Sequence, residues 1–367
     1  MRVLVAMSGG VDSSVVAALL AEQGHEVVGA TLQLYDHGAA VRKAGACCAG
    51  QDIHDARDVA DRLGIPHYVL DREQVFRREV IGDFADTYAR GETPIPCIRC
   101  NQTVKFRDLV ALARDLGCEA LATGHYARRV IGPAGPELHR AADPARDQSY
   151  FLAATTRAQL AMARFPLGDM PDKASVRALA ARFGLAVADK PDSQDICFVP
   201  EGRYDALVGR LRPEALAPGE IATADGRVLG AHEGIARYTV GQGRGLGAAS
   251  WDGAEKLYVA GVDAPRRRVI VAPRRAIETI EAMAGEMNWL IDPPAVPLRC
   301  TAKLRAREAP RPVTVAWDAA SGQAHLTLDE AGIVAPGQAC VLYDGDRVLA
   351  GGFLRAPGSV DSARPAA

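Results

Sequence analysis

Over roughly the first 125 residues, short apolar runs alternate with segments of helical period: RVLVAM, a helix pattern over 12–23, EVVGATLQL, a second pattern in DIHDARDVADRLG, PHYVL, a long helical stretch over about 72–90, VKFRDLVALARDLG, and EALATGH. This alternation limits the fold more than any other feature. Strands that run parallel need a long return connection, and a helix between each pair supplies it, so the pattern predicts an α/β domain with a parallel sheet and crossover helices. Gly24 and Gly64 fall where helices end. GETPIPCIRCN, with two prolines and a glycine, predicts a non-helical loop. From about Tyr204 the chain changes to short strands and glycine-rich turns, in GRVLGAHEG, YTVGQGRGLG, RRVIVAP, VTVAWD and CVLYDGDRVLAGGF, which predict small β domains with a hairpin turn at Asp344-Gly345. The expected division is an α/β domain over 1–203, a central β-rich domain over 204–275 and a C-terminal β-barrel-like domain over 276–367. Residues 357–367 read as a fraying tail.

With 367 residues, 48% of them hydrophobic, the chain can bury more than one core. No apolar run reaches about 18 residues and no basic-then-apolar segment opens the chain, so a soluble, cytoplasmic protein is expected. The formal charge of -2 supplies no overall field for nucleic acid, so an RNA partner would be met by a local basic surface. Eight cysteines, irregularly spaced, exclude a disulfide scaffold in a chain of this length. Cys118, Cys300 and Cys340 sit in apolar, strand-like contexts and read as packing residues.

MSGGVDSSV joins the first strand to the first helix. Ser8, Gly9 and Gly10 let the backbone approach an anion closely, while the helix N-terminus offers N–H groups and the positive end of its dipole. No Lys-Ser/Thr pair ends the loop, which argues against a Walker A site. The string Ser-Gly-Gly-Val-Asp-Ser-Ser resembles the PP-loop of ATP pyrophosphatases, which implies ATP held by its pyrophosphate and a carbonyl oxygen activated by adenylation.

Cys97 and Cys100 form a Cys-x-x-Cys pair, and Cys197 lies in a second polar, proline-bounded segment, KPDSQDICFVP. By itself Cys-x-x-Cys suits thiol-disulfide chemistry, half of a metal site, or chance. Adjacent Cys47 and Cys48 lack the spacing that a four-thiolate zinc site needs. Taken in order along nearly the whole chain, MSGGVDSSV, DARDVADRLGIPHYVLD, GETPIPCIRCN with VKF, ATGHYAR, DQSYFL, KPDSQDICFVP, YTVGQ with GLG, and APGQA with GG resemble the tRNA-specific 2-thiouridylases of the MnmA/TrmU family.

That resemblance implies ATP-dependent replacement of the C2 oxygen of a wobble uridine in tRNA by sulfur. It places ATP contacts on Ala6, Met7, Ser8, Gly9, Gly10, Val11, Asp12, Ser13, Leu32 and Gly124. It places the nucleophilic cysteine on Cys100, the persulfide-carrying cysteine on Cys197, and RNA contacts on Ile95, Pro96, Cys97, Arg146, Asp147, Gln148, Arg305 and Ala306. Mg²⁺ would accompany ATP, with Asp12 as either a metal ligand or a helix cap. A sulfur-donor protein and a monomeric enzyme are expected.

Two residues depart from the pattern. Cys97 stands where some family members carry an aspartate, giving three thiols, Cys97, Cys100 and Cys197, the number that holds a [4Fe-4S] cluster with one iron open; such a cluster is a second expectation beside the persulfide relay. Gly243 stands where related sequences carry a basic residue, with Arg244 next to it. Lys105, Arg107, Arg128, Arg129, Lys303 and Arg307 are further candidates for phosphate contact, and His125 for either a base or a structural histidine. Asp192 and Asp195 are read as ordering the loop before Cys197. Two other readings remain open: a PP-loop ligase or amidotransferase acting on a small molecule, and a non-catalytic RNA-binding protein.

Overall fold

The protein's structure, a computed structural model, describes residues 1–35, 48–191, 196–199, 204–247 and 255–356. Cys47, the Cys48 side chain, Asp192, Asp195 and the tail 357–367 lie outside the described residues. The chain divides into two compact units, one of residues 1–80, 97–198 and 346–348, the other of 81–96, 199–345 and 349–367.

The first unit contains strands β1 (Arg2–Ala6), β2 (Glu26–Gln33), β3 (His67–Asp71), β4 (Ala120–Ala122), the hairpin β5 (Ala127–Gly132) and β6 (Gly135–Arg140), and β7 (Ala163–Arg164). Five of these form a parallel sheet in the order β3-β2-β1-β4-β7. Val3, Leu4 and Val5 are 0% exposed, as a central parallel strand covered on both faces requires. Helix α1 (Val11–Glu22) buries Val15, Val16 and Ala17 in the same core as Val3 and Val5. Each such valine removed from water contributes about 1.5–3 kcal/mol. From β1 the chain runs outward to β2 and β3, then returns to β4 on the opposite flank of β1. Connections therefore diverge past the C-terminal ends of β1 and β4, the switch point at which open α/β sheets bind ligands.

The expected long helix is three successive segments, Glu73–Phe76, a π-helical Arg77–Ile81, and Gly82–Ala89. The loop expected over GETPIPCIRCN is shorter than the sequence suggests. Helix resumes at Pro96–Cys100, continues as a π-helical Asn101–Lys105 and ends as Phe106–Asp115. Proline opens this helix without cost because the first helical N–H has no intrahelical partner and φ near -65° already fits.

In the second unit, β8 (Gly219–Thr223), β9 (Val228–His232), β10 (Leu257–Asp263) and β11 (Arg268–Pro273) order as β10-β11-β8-β9, with β8 and β11 parallel. YTVGQGRGLG, expected to contribute a strand, forms turns: Gly241, Gly245 and Gly247 lie at φ +88°, +68° and +61°, which no regular ladder accommodates. The strands β12 (Glu278–Trp289), β13 (Leu298–Lys303), β14 (Arg311–Asp318), β15 (Gln323–Ile333), β16 (Ala339–Asp344) and β17 (Arg347–Leu354) follow one another as β12-β15-β14-β13-β16-β17, and β17 pairs back onto β12 to close a barrel. Val313, Val315, Leu326 and Leu342 fill it with Cys300 and Cys340, and burial pushes the Cys300 thiol up to about 12. Cys118 is buried just before β4. Among the described residues no helix is long and apolar enough to cross a membrane.

Candidate active site

At the C-terminal end of β1 the backbone turns through Ser8, Gly9 and Gly10 into α1. Gly9 lies at φ +72°, and a Cβ there would sit 2.1 Å from the Asp52 carbonyl oxygen, so only glycine fits. Gly10 is the N-cap of α1, with no side chain capping the helix. Ser13 accepts from the Ser8 N–H (3.1 Å), and Ser14 donates to the Gly10 carbonyl (2.8 Å). The first N–H groups of α1 have no acceptor within the helix and are left facing the loop. Gly124, two residues past β4, approaches so closely that a Cβ would lie 2.9 Å from the Ser13 nitrogen. Leu32 lies two residues past the Ala6–Ala30 pair, on the neighbouring strand end. The structure thus gathers Ala6–Ala30, the loop, Gly124 and Leu32 at the switch point of the sheet.

Two lysines that sequence reasoning missed lock this region. The Lys173 ammonium donates to both carboxylate oxygens of Asp12 (2.8 Å each), and the Tyr126 hydroxyl donates to one of them (2.8 Å). Asp12 is therefore an ion-paired residue inside the first turn, and the helix-cap alternative is corrected: Gly10 occupies the cap. Lys190 donates to the Gly9 carbonyl (3.0 Å), to Asp52 (2.7 Å) and to Asp55. Burial works against the Lys190 charge, yet the two carboxylates raise its pKa above the usual value. Arg177 donates to the Ala188 and Lys190 carbonyls (2.5 and 2.9 Å), fixing the chain that leads to Cys197. No local spacing signals these contacts, since Lys173 and Lys190 are 161 and 181 residues from their loop partners.

Cys97, Cys100 and Cys197 lie within electrostatic reach of one another in the first unit. Cys100 is buried, whereas Cys97 and Cys197 keep exposed surface. Burial raises all three thiols, pushing Cys197 up to about 11, and the Lys105 ammonium opposes that rise at each. The Tyr35 hydroxyl donates to Cys197. Its ring packs 6.0 Å from Phe76, which in turn meets Phe198 edge-on at 5.6 Å, so aromatic contacts hold both Tyr35 and the Cys197 segment. The expectation of an iron–sulfur cluster is not met by this arrangement: among the described residues no three His, Cys, Asp or Glu side chains form a metal-holding group.

His125 donates through Nδ1 to the Gln148 side-chain oxygen (2.9 Å), which also accepts the Tyr126 N–H (3.1 Å). Burial and the nearby Lys105 charge lower its pKa to about 4, leaving a neutral, structural histidine. Asp147 accepts from the Ala141 and Ser149 N–H groups and from the Ser149 hydroxyl. The Asp147 and Gln148 side chains are thus committed inside the fold, while Arg146 beside them is partly exposed. In the second unit Ile95 is half-buried, Pro96 is buried, and Ala306 is half-buried beside Arg305. Arg305 donates to the Val240 carbonyl at 2.9 Å and pairs with Glu308 at 3.7 Å. Gly243 has a steric reason: a Cβ would meet the Tyr258 ring at 2.7 Å.

Three family models match the chain. That described as tRNA methyl transferase HUP domain covers residues 1–201, the tRNA methyl transferase PRC-barrel domain 207–273, and the aminomethyltransferase beta-barrel domain 280–354. Among curated proteins, the chain is 64% identical to the tRNA-specific 2-thiouridylase MnmA of Acidiphilium cryptum, over 96% of this chain and 100% of that one. It is 61% identical to the protein of the same name in Gluconobacter oxydans, over 97% and 99%, and 61% identical to that of Rhodospirillum centenum, over 96% and 91%.

Proposed function

The chain belongs to the family of tRNA-specific 2-thiouridylases, and on that premise we propose that it thiolates C2 of the wobble uridine in tRNA, using ATP and the thiols of Cys100 and Cys197. The observation that carries this reading is that thiols 97 residues apart in sequence lie within electrostatic reach of one another, in the unit that holds the anion-cradling loop. Methyl transfer, the activity worded in two family-model descriptions, gives no task to either feature.

The uridine O2 attacks the α-phosphorus of ATP, and pyrophosphate leaves against the N–H groups of the loop and of α1. A persulfide on Cys197, supplied by a sulfur-donor protein, attacks C2 through its terminal sulfur; the C2–O bond breaks and AMP leaves. The Cys100 thiolate then attacks the Cys197 sulfur. The S–S bond to the base breaks, its electron pair stays on the 2-thiouridine sulfur, and a Cys100–Cys197 disulfide forms, which a dithiol reduces for the next cycle. Mg²⁺ enters with the phosphates of the nucleotide. The target base leaves its stack to reach the thiols, with contacts around Ile95, Pro96, Cys97, Arg146, Asp147, Gln148, Arg305 and Ala306. Residues 1–203, 204–275 and 276–367 are assigned as catalytic, central and C-terminal domains, supported by the limits of the three family models. A cytoplasmic monomer fits this role.

Thiolation of unmodified tRNA under anaerobic conditions, with ATP, Mg²⁺ and a sulfur donor, tests the reading. Cys100→Ser and Cys197→Ser should each abolish 2-thiouridine formation while tRNA affinity is kept, and Cys97→Ser should spare it. Undiminished thiolation by Cys197→Ser removes the persulfide route.

A further inference from the structure

We propose that Lys105 is a positioning residue for the sulfur chemistry, favouring the anionic form of Cys100 and its partner Cys197 against the burial that disfavours it, from a place that the π-helical turn creates for it. The proposal rests on the reading of Cys100 and Cys197 as the reacting pair.

The backbone supplies the geometry. In an α-helix of 3.6 residues per turn, the fifth residue after Cys100 points about 140° away from it. Residues Asn101–Lys105 are instead π-helical, with the Phe106 N–H bonded to the Asn101 carbonyl five residues back. In such a turn residue i+5 takes the place above residue i that i+4 takes in an α-helix. Cys97, Cys100 and Lys105 therefore share one side of the helix, three and then five residues apart. Asn101 pins the turn, its side-chain N–H donating to the Phe151 carbonyl at 2.9 Å.

The surroundings leave the ammonium few partners. Among the described residues no carboxylate pairs with Lys105, and the acidic groups acting on it are Cys100, Cys197 and Cys97. The neutral His125 is its other titratable neighbour. The Cys197 sulfur is reached by Lys105 and by the Tyr35 hydroxyl, with the Cys97 and Cys100 thiols as the other titratable groups. Desolvation penalises a thiolate here, and one nearby cation is the general remedy. Lys105 has the charge and Tyr35 the proton for a hydrogen bond, so charge and orientation are supplied by different side chains.

The test reads thiol reactivity without tRNA, so that it can fail while thiolation through Cys100 and Cys197 stands, and the reverse. Alkylation of each cysteine by iodoacetamide is followed by peptide mass spectrometry from about pH 6 to about 10. In Lys105→Gln the Cys100 and Cys197 profiles should move up by roughly one pH unit or more, about tenfold slower alkylation near pH 8, while Lys105→Arg stays close to wild type. Superimposable profiles in wild type and Lys105→Gln overturn the proposal. A converse measurement leaves Lys105 in place: its ammonium, followed by NMR of the ¹³C-dimethylated side chain, should titrate at lower pH in the Cys100→Ser/Cys197→Ser variant than in wild type. An unchanged titration also overturns it.

Discussion

Alanine at Gly9 and alanine at Gly64 separate backbone strain from collision at the joint between β1 and α1. Both glycines are left-handed, at φ +72° and +65°, and an L-residue there costs about 1–2 kcal/mol. Around Gly64 a Cβ meets nothing within 4 Å, so that cost is the whole effect of Gly64→Ala. At Gly9 the methyl would stand 2.1 Å from the Asp52 carbonyl oxygen and 2.8 Å from two further backbone atoms of the same residue. Backbone cannot rotate aside as a flexible side chain can, and overpacking of this kind adds about 1–3 kcal/mol. The loop relieves the contact by withdrawing from Asp52, and on the proposed reading, in which the loop holds ATP, binding must then restore it. The part of the roughly 1–3 kcal/mol that withdrawal relieves in the free protein returns as weaker ATP binding, up to about 150-fold, and the remainder stays as lost stability. Urea unfolding and calorimetric titration with ATP, on wild type and both variants, provide the measurement. Gly64→Ala should lose stability while binding ATP normally, and Gly9→Ala should lose more stability and ATP affinity together. Equal ATP affinity in all three proteins, with Gly9→Ala no less stable than Gly64→Ala, would refute the claim that contact with Asp52 sets the loop.

Two further outcomes follow from the charges around the site. Lys173→Met strips the cation from Asp12 and should cost about 1.5–3 kcal/mol in urea unfolding, with less than additive loss when Asp12→Asn is added, since the two side chains share one interaction. His125 has a folded pKa of about 4 against the ordinary histidine value of 6.5, so between those pH values the unfolded chain binds more protons than the folded one. Its contribution is full above about pH 6.5 and is lost as the pH falls toward about 4. The loss of stability between about pH 7 and about 5 should be smaller in His125→Phe than in wild type, and an equal or larger loss in the variant would show that His125 is not the buried neutral group described.

The parallel sheet was readable because its information is local. Apolar runs at strand length, helical spacing between them, and glycines at the joints recur within a dozen residues, and neighbouring strands follow from their order. Ser8-Gly9-Gly10 was legible for the same reason, since a tight strand-to-helix joint needs residues of that type at that place. The Cys-x-x-Cys pair and the Cys197 segment could be read as chemistry, but spacing alone left thiol exchange and metal binding open. YTVGQGRGLG misled, because apolar residues at its start suggest a strand while its glycines take up left-handed turns.

By itself the chain's order of residue types dictated the α/β unit, the β-rich remainder, the tight strand-to-helix joint and the cysteines worth following, because backbone periodicity and turn chemistry are set by near neighbours. Folding in three dimensions settled the rest. Pro96 opens a helix instead of ending a loop, five residues of π-helix turn Lys105 toward Cys100, Lys173 and Lys190 reach the joint between β1 and α1 from more than 160 residues away, and burial makes His125 neutral. Each of these depends on which groups are brought together and how far water is excluded from them, and neither is written in the spacing of residues along the chain.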